Sequence, residues 1–175
     1  HGPKRWVYAR EAARLADLER SLARPCELAV TCQREAGLLR RLAPEARVTV
    51  ARNGVDLPPQ YTNAGDAMPN VVFTGMLDYR PNVEGLRWFV DEVWPHVHRN
   101  VRQAQLHIVG RRPVSAVRRL NDVAGVRVIG DVPDTQRYLE GARVAIAPLH
   151  IARGVQNKAL QAMAAARPVV VTEAV

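Results

Sequence analysis

The chain has 175 residues, and its 25 Lys and Arg against 17 Asp and Glu leave a net charge of +8. That length fits one ordinary domain or parts of two, and the 47% apolar share is globular. No run approaches the ~18 apolar residues that a membrane span needs, and the polar, basic residues 1–6 lack the apolar core of a signal peptide. Cys26 and Cys32 flank one predicted strand, which disfavours a disulfide between them, so a reduced, cytosolic protein is expected. The positive charge suits an anionic ligand, an acidic membrane surface or nucleic acid. Nucleic acid is disfavoured, because the basic residues are spread along the chain and aromatic side chains make up 5% of it.

Residues 4–23 are predicted to form an amphipathic helix, with Val7, Ala12, Leu15, Leu18 and Leu22 on one face and Pro25 closing it. Residues 27–31 (ELAVT) read as a strand, and Thr31 is expected to cap a helix over 33–42 that Glu35 favours at its start. Pro44 breaks that helix, and 47–51 (RVTVA) alternate as a second strand. Residues 57–69, rich in Pro, Asn and Gly, read as a linker between a unit over 1–56 and another over 70–175.

Beyond the linker, strands and helices alternate. Residues 70–74 (NVVFT) form a strand ending at Gly75, and Asn82 is expected to cap a helix that buries Leu86, Phe89, Val90, Val93, Trp94 and Val97. A strand over 105–109 ends at Gly110, a helix covers 114–123, and a strand over 126–129 ends at Gly130. Asp134 caps a short helix, and 143–147 form the next strand. From about Val155 a helix buries Ala159, Leu160, Met163 and Ala164; Arg167 and Pro168 end it, and 169–172 are a final strand. Five strands interleaved with helices imply a doubly wound parallel sheet, with ligands at the strands' carboxyl ends, where Gly75, Gly110 and Gly130 fall.

The loop before the last helix holds Arg153 and Gly154, and its first turn holds Asn157 and Lys158. A lysine opposes the positive end of the helix dipole, which a bound diphosphate would offset; the plain alternative is a solvated lysine on a βα turn. His96 and His98 read as surface residues, His107 as a sheet histidine, and His150 as a possible substrate contact beside the loop. Asp78, Tyr79 and Asn82 follow the strand ending at Gly75 within reach of the same edge, and Trp6, Trp88 and Trp94 read as packing residues. No metal-ligand cluster is apparent.

The segments FTGMLDYRPNVEGLRWFVDEVWP, LHIVGRRP, GVRVIGDVPDTQRYLEGARVAIAPL and ARGVQNKALQAMAAARPVVVT, in this order and spacing, resemble the family 4 retaining glycosyltransferases. More narrowly, with REAARLADLER, RLAPEARVTV and NGVD, they are similar to sugar transferases of bacterial exopolysaccharide and PEP-CTERM systems. The resemblance implies a GT-B protein with two Rossmann-like domains. Residues 1–56 would be the end of an acceptor domain, and 70–175 a nucleotide-sugar donor domain incomplete at its carboxyl end. It implies a UDP- or GDP-linked sugar as donor substrate, no further cofactor and no metal. It also implies a glycan or lipid-linked acceptor and a cytoplasmic location with peripheral contact at the inner membrane surface. A fragment with bare sheet edges is expected to self-associate.

Residue by residue, the resemblance places the donor diphosphate against Gly75 and the loop of Gly154 and Val155, with Asn157 and Lys158 beside it. Gly110, Arg111, Asp131 and Val132 would flank the base and ribose. Two glutamates, eight residues apart in many members, correspond here to Arg153 and Gln161. Gln161 departs from the pattern, and its amide is expected to weaken nucleotide binding about tenfold relative to a carboxylate. Met76 stands where an arginine is usual, so Arg80, Arg153 and Lys158 are expected to neutralise the phosphates. A nucleotide-sugar epimerase and a non-catalytic nucleotide-binding scaffold are the alternatives.

Overall fold

The computed structural model describes residues 3–57, 69–152 and 154–175. Most of the linker and Arg153 therefore lie outside the described residues. The chain divides into two compact units, residues 1–54 and 55–175.

In the first unit, helix α1 (Pro3–Ala23) precedes strand β1 (Glu27–Val30), helix α2 (Gln33–Leu42) and strand β2 (Arg47–Val50). The strands pair in parallel, Glu27 opposite Arg47, and the Thr49 hydroxyl donates to Glu27 across them at 2.8 Å. The expected cap is reversed. Cys32 occupies the cap position of α2, and Glu35 reaches back to accept from the Thr31 hydroxyl (3.1 Å) and the Thr31 backbone N–H (3.4 Å). The predicted apolar stripe of α1 is not buried: Leu15, Leu18 and Leu22 are about half exposed, and Trp6, expected to pack, is 66% exposed. Two short strands and one further helix provide too little apolar surface to cover a helix of this length, and the fully buried apolar positions of the unit are Ala23, Ala36 and Ala43 among the described residues.

The second unit is a five-stranded parallel sheet in the order β5-β4-β3-β6-β7. Its strands are β3 (Asn70–Thr74), β4 (Gln105–Val109), β5 (Val126–Gly130), β6 (Val144–Ala147) and β7 (Val169–Val171). Period-two alternation sends Val71, Phe73, Leu106 and Ile108 to one face and Val72, Val109 and Ala145 to the other. Leu86, Phe89, Trp94 and Val117 cover the first face, and Leu139, Ala162 and Ala165 the second. Burial on both faces explains why these strands are continuous apolar runs. The strand order turns back at β3, so the crevice between the carboxyl ends of β3 and β6 is the switch point where such sheets take ligands.

The long helix expected after β3 is assembled from three pieces. Helix α3 (Arg80–Trp88) passes through a wider π turn over Phe89–Val93 into helix α4 (Trp94–Asn100). Pro95 has no N–H to give to residue 91 and its ring crowds that carbonyl, so the preceding amide, Trp94, bonds to the Phe89 carbonyl five residues back. The continuous helix predicted over 114–123 is instead a single turn, α5 (Ser115–Arg118), followed by a 3₁₀ turn over Arg119–Asp122. Helix α6 (Gln136–Glu140) starts where the Asp134 carboxylate accepts from the Gln136 N–H at 2.8 Å. Helix α7 (Asn157–Ala164) begins two residues later than the apolar spacing suggests, because Val155 belongs to the loop.

Candidate functional site

An open cleft of about 420 Å³ lies at the carboxyl edge of the sheet, lined by the end of β3, the starts of α3 and α7 and the loop after β4. The loops after β3 and β4 are laced together by backbone bonds: Gly75 N–H to the Val109 carbonyl at 3.1 Å and Leu77 N–H to the Arg111 carbonyl at 2.8 Å. They run so close that a Cβ on Gly110 would overlap the Gly75 carbonyl oxygen. Glycine at 110 is therefore a requirement of the cleft floor.

Lys158 dominates the chemistry. It sits at the second position of α7, and its Nζ donates to the Asn82 side-chain oxygen at 2.6 Å and lies 4.4 Å from the centre of the Phe73 ring. Burial lowers its pKa from the ordinary 10.5 to about 8. No carboxylate pairs with it among the described residues, and no Asp or Glu is among the cleft's described lining residues. The cleft thus holds a desolvated cation beside the positive end of α7, the arrangement that attracts a polyanion.

Asn82 does not cap a helix as expected. Tyr79 holds the cap position and Pro81 the first turn, where a missing N–H does no harm. Asn82 is instead buried, 4% exposed, between Lys158 and the Met76 carbonyl, to which its Nδ2 donates at 2.7 Å. Of the residues singled out in the sequence, the cleft brings together Gly75, Met76, Tyr79, Asn82, Gly110, Arg111, Val155, Asn157, Lys158 and Gln161. Gly154, with a left-handed φ of 66°, turns the chain immediately before Val155.

Others lie elsewhere. Arg80 is not among the lining residues; its guanidinium is bonded to Glu84 one turn along α3 at 2.7 Å. Asp131 pairs with Arg111 at 3.7 Å just outside the cleft, and Val132 packs on the second core cluster. His150 meets Trp88 edge-on, ring centres 4.6 Å apart, and is not among the cleft's lining residues. His107, on β4, lies edge-on to Tyr138, and burial followed by the neighbouring charge of Arg127 lowers its pKa. His98 stacks on Trp94 and is half-buried, whereas His96 is exposed. Among the described residues no group of three His, Cys, Asp or Glu is placed to hold a metal, and no described helix is long and apolar enough to cross a membrane.

Sequence reasoning missed Thr135 and Gln156, which also line the cleft, and Gly85. A Cβ on Gly85 would overlap the Pro148 carbonyl oxygen, so this glycine lets α3 lie directly on the loop after β6. A glycine inside a helix costs about 1 kcal/mol relative to alanine; that local expense was the available signal of a close contact.

A parallel sheet with a cationic cleft at the carboxyl ends of its strands defines a doubly wound α/β class that takes ligands at that edge. The family model described as Glycosyl transferases group 1 matches residues 68–175, and the chain belongs to that family. No curated protein matches it. Among solved structures it is similar to a mutant of S. aureus TarM in complex with fondaparinux, alpha-GlcNAc-glycerol and UDP, at 16% identity and a TM-score of 0.66 over 83% of this chain. It also resembles the pneumococcal O-GlcNAc transferase GtfA in complex with UDP and GlcNAc, at 12% identity and a TM-score of 0.62 over 83% of this chain. A trehalose-6-phosphate synthase is similar at 13% identity and a TM-score of 0.56, over 82% of this chain and 44% of that one. The chain spans 29% of the TarM and GtfA chains. The fold is that of the GT-B group.

Proposed function

We propose that this chain binds the diphosphate of a nucleotide sugar in the cleft at the ends of β3 and β4, as the donor portion of a retaining glycosyltransferase. The observation that carries this reading is Lys158, a half-buried cation with no carboxylate partner among the described residues, at the start of α7. As the sugar–phosphate bond breaks, negative charge gathers on the leaving diphosphate. A fixed ammonium and the helix dipole stabilise that charge more than the ground state, which is what lowers a barrier. Arg111, on the cleft wall, would face the nucleotide side, and Gln161 the ribose. Arg153 joins this reading from its sequence position alone.

Membership of the family supports the transferase assignment, and the UDP in the TarM and GtfA complexes makes UDP the first nucleotide to try. A glycan or lipid-linked acceptor, an exopolysaccharide pathway and peripheral contact with a membrane follow from the sequence resemblance. The exposed apolar stripe of α1 supports self-association. Met76 at the phosphate side of the cleft, with no guanidinium in its place, favours a non-catalytic nucleotide-binding module as the second reading.

Calorimetric titration with UDP, GDP and ADP, beside Lys158→Ala, tests the proposal. One nucleotide is expected to bind, at least about tenfold more weakly in the variant, since a hydrogen bond to a charged group contributes ~1.5–3 kcal/mol. Equal affinity in both proteins would place the nucleotide elsewhere.

A further inference from the structure

Asn82 lies 76 residues from Lys158 in sequence, is almost fully buried, and bonds at both ends of its amide. The two partners settle its orientation. An ammonium can only donate, so it must face the amide oxygen; a backbone carbonyl can only accept, so it must face the amide nitrogen. The amide therefore ties the ammonium to the turn at Gly75 and Met76. The Phe73 ring lies on another side of it, 4.4 Å from centroid to Nζ, and a Cβ on Gly75 would come within 3.3 Å of Nζ. The ammonium is held by groups that carry no net charge.

We propose that Asn82 is a positioning residue: its neutral amide fixes the Lys158 ammonium at the floor of the cleft without neutralising it, so that the full charge is presented to an anionic ligand. A carboxylate at the same place could still accept from the lysine but would cancel its charge and repel a diphosphate. Aspartate would also lose the N–H that bonds the Met76 carbonyl, so Asn82→Asp changes the charge and one hydrogen bond together, whereas Asn82→Leu removes both bonds without adding charge. Among the described residues, the other titratable groups facing the cleft are Arg111 and Tyr79, neither of which is a carboxylate. What the anion is rests on the nucleotide reading above; the grip of Asn82 on Lys158 does not.

The chain has two lysines, Lys4 and Lys158, so the Lys158 side-chain pKa can be followed by NMR of 13C-labelled lysine in the whole chain, with Lys4→Arg giving the assignment. Asn82→Asp is expected to raise that pKa by about one unit or more, and Asn82→Leu, which removes the acceptor, to lower it by about one unit. A structural role alone would not move the pKa in opposite directions. With UDP as probe, Asn82→Asp is expected to bind at least about tenfold more weakly than wild type. An unchanged Lys158 pKa in the folded variants overturns the proposal, whatever the nucleotide result. If Asn82→Asp fails to fold, Asn82→Leu alone decides it. Opposite pKa shifts with no binding of UDP, GDP or ADP by wild type would uphold the positioning role and overturn the nucleotide reading instead.

Discussion

At the scale of single residues, the proposed function turns on the state of one amine. The Lys158 pKa near 8 lies below the ordinary 10.5 because burial removes water from the ammonium. Between these values the unfolded chain binds more protons than the folded one, so this group's contribution makes stability rise with pH from about 8 to 10.5. A bound diphosphate has the opposite preference and favours the charged form. Nucleotide affinity is therefore expected to fall as pH rises above 8 in wild type and to stay flatter in Lys158→Ala, as measured by titration from about pH 7.5 to about pH 10, roughly the span of that shift. Lys158 itself was legible from its place at a helix start that disfavours a cation. The place of Asn82 near the same edge was legible too, but not its contact with Lys158. An Asn shortly after a strand and beside a proline reads as a helix cap, and its contact crosses 76 residues of sequence. Arg80, whose position suggested the phosphates, is bonded in this structure to Glu84 one turn along the helix.

At the scale of elements, the existence and order of strands and helices in residues 70–175 could be read from apolar runs and the glycines that end them. Helix interruptions could not, because local features decide them. Pro95 widens one helix into a π turn. The end of α7 is a second case: the Arg167 N–H bonds to the Ala162 carbonyl and the Ala166 N–H to the Met163 carbonyl, each at 2.9 Å, with Ala166 in the left-handed region at φ 56°. This pair of bonds is a Schellman closure, whose left-handed position ordinarily belongs to glycine. Ala166→Gly is expected to stabilise the chain by about 1 kcal/mol in urea denaturation, since it removes the strain of a Cβ at positive φ. Gly85→Ala should do the reverse. Its Cβ would press on the Pro148 carbonyl and move α3 off the loop, a loss of about 1–3 kcal/mol or more by the same assay.

At the scale of the whole molecule, the two units differ in how much they bury. The second unit encloses a sheet whose Phe73, Leu106 and Ile108 are covered by Leu86 and Trp94, with Leu139 on its other face, whereas the first buries chiefly alanines and leaves the leucines of α1 exposed. Hydrogen exchange is therefore expected to be slowest in β3, β4 and β6 and many-fold faster in β1 and β2. Comparable protection in both units would show that α1 is covered in solution. The doubly wound sheet was predictable, because burial on both faces writes itself into unbroken apolar strands. The exposure of α1 was not, because its periodicity announces a face to be buried and says nothing about what covers it.

The function proposed for this chain depends on the cleft at the ends of β3 and β4 receiving a nucleotide diphosphate. Mapping backbone amide shifts on titration with UDP tests that most directly. Saturable shifts are expected at Gly75, Gly110, Asn157 and Lys158, with little change at Asn70 and Gln105 at the other end of the same strands. Saturable shifts confined to that opposite end, or none at the four cleft residues for UDP, GDP or ADP, would contradict it.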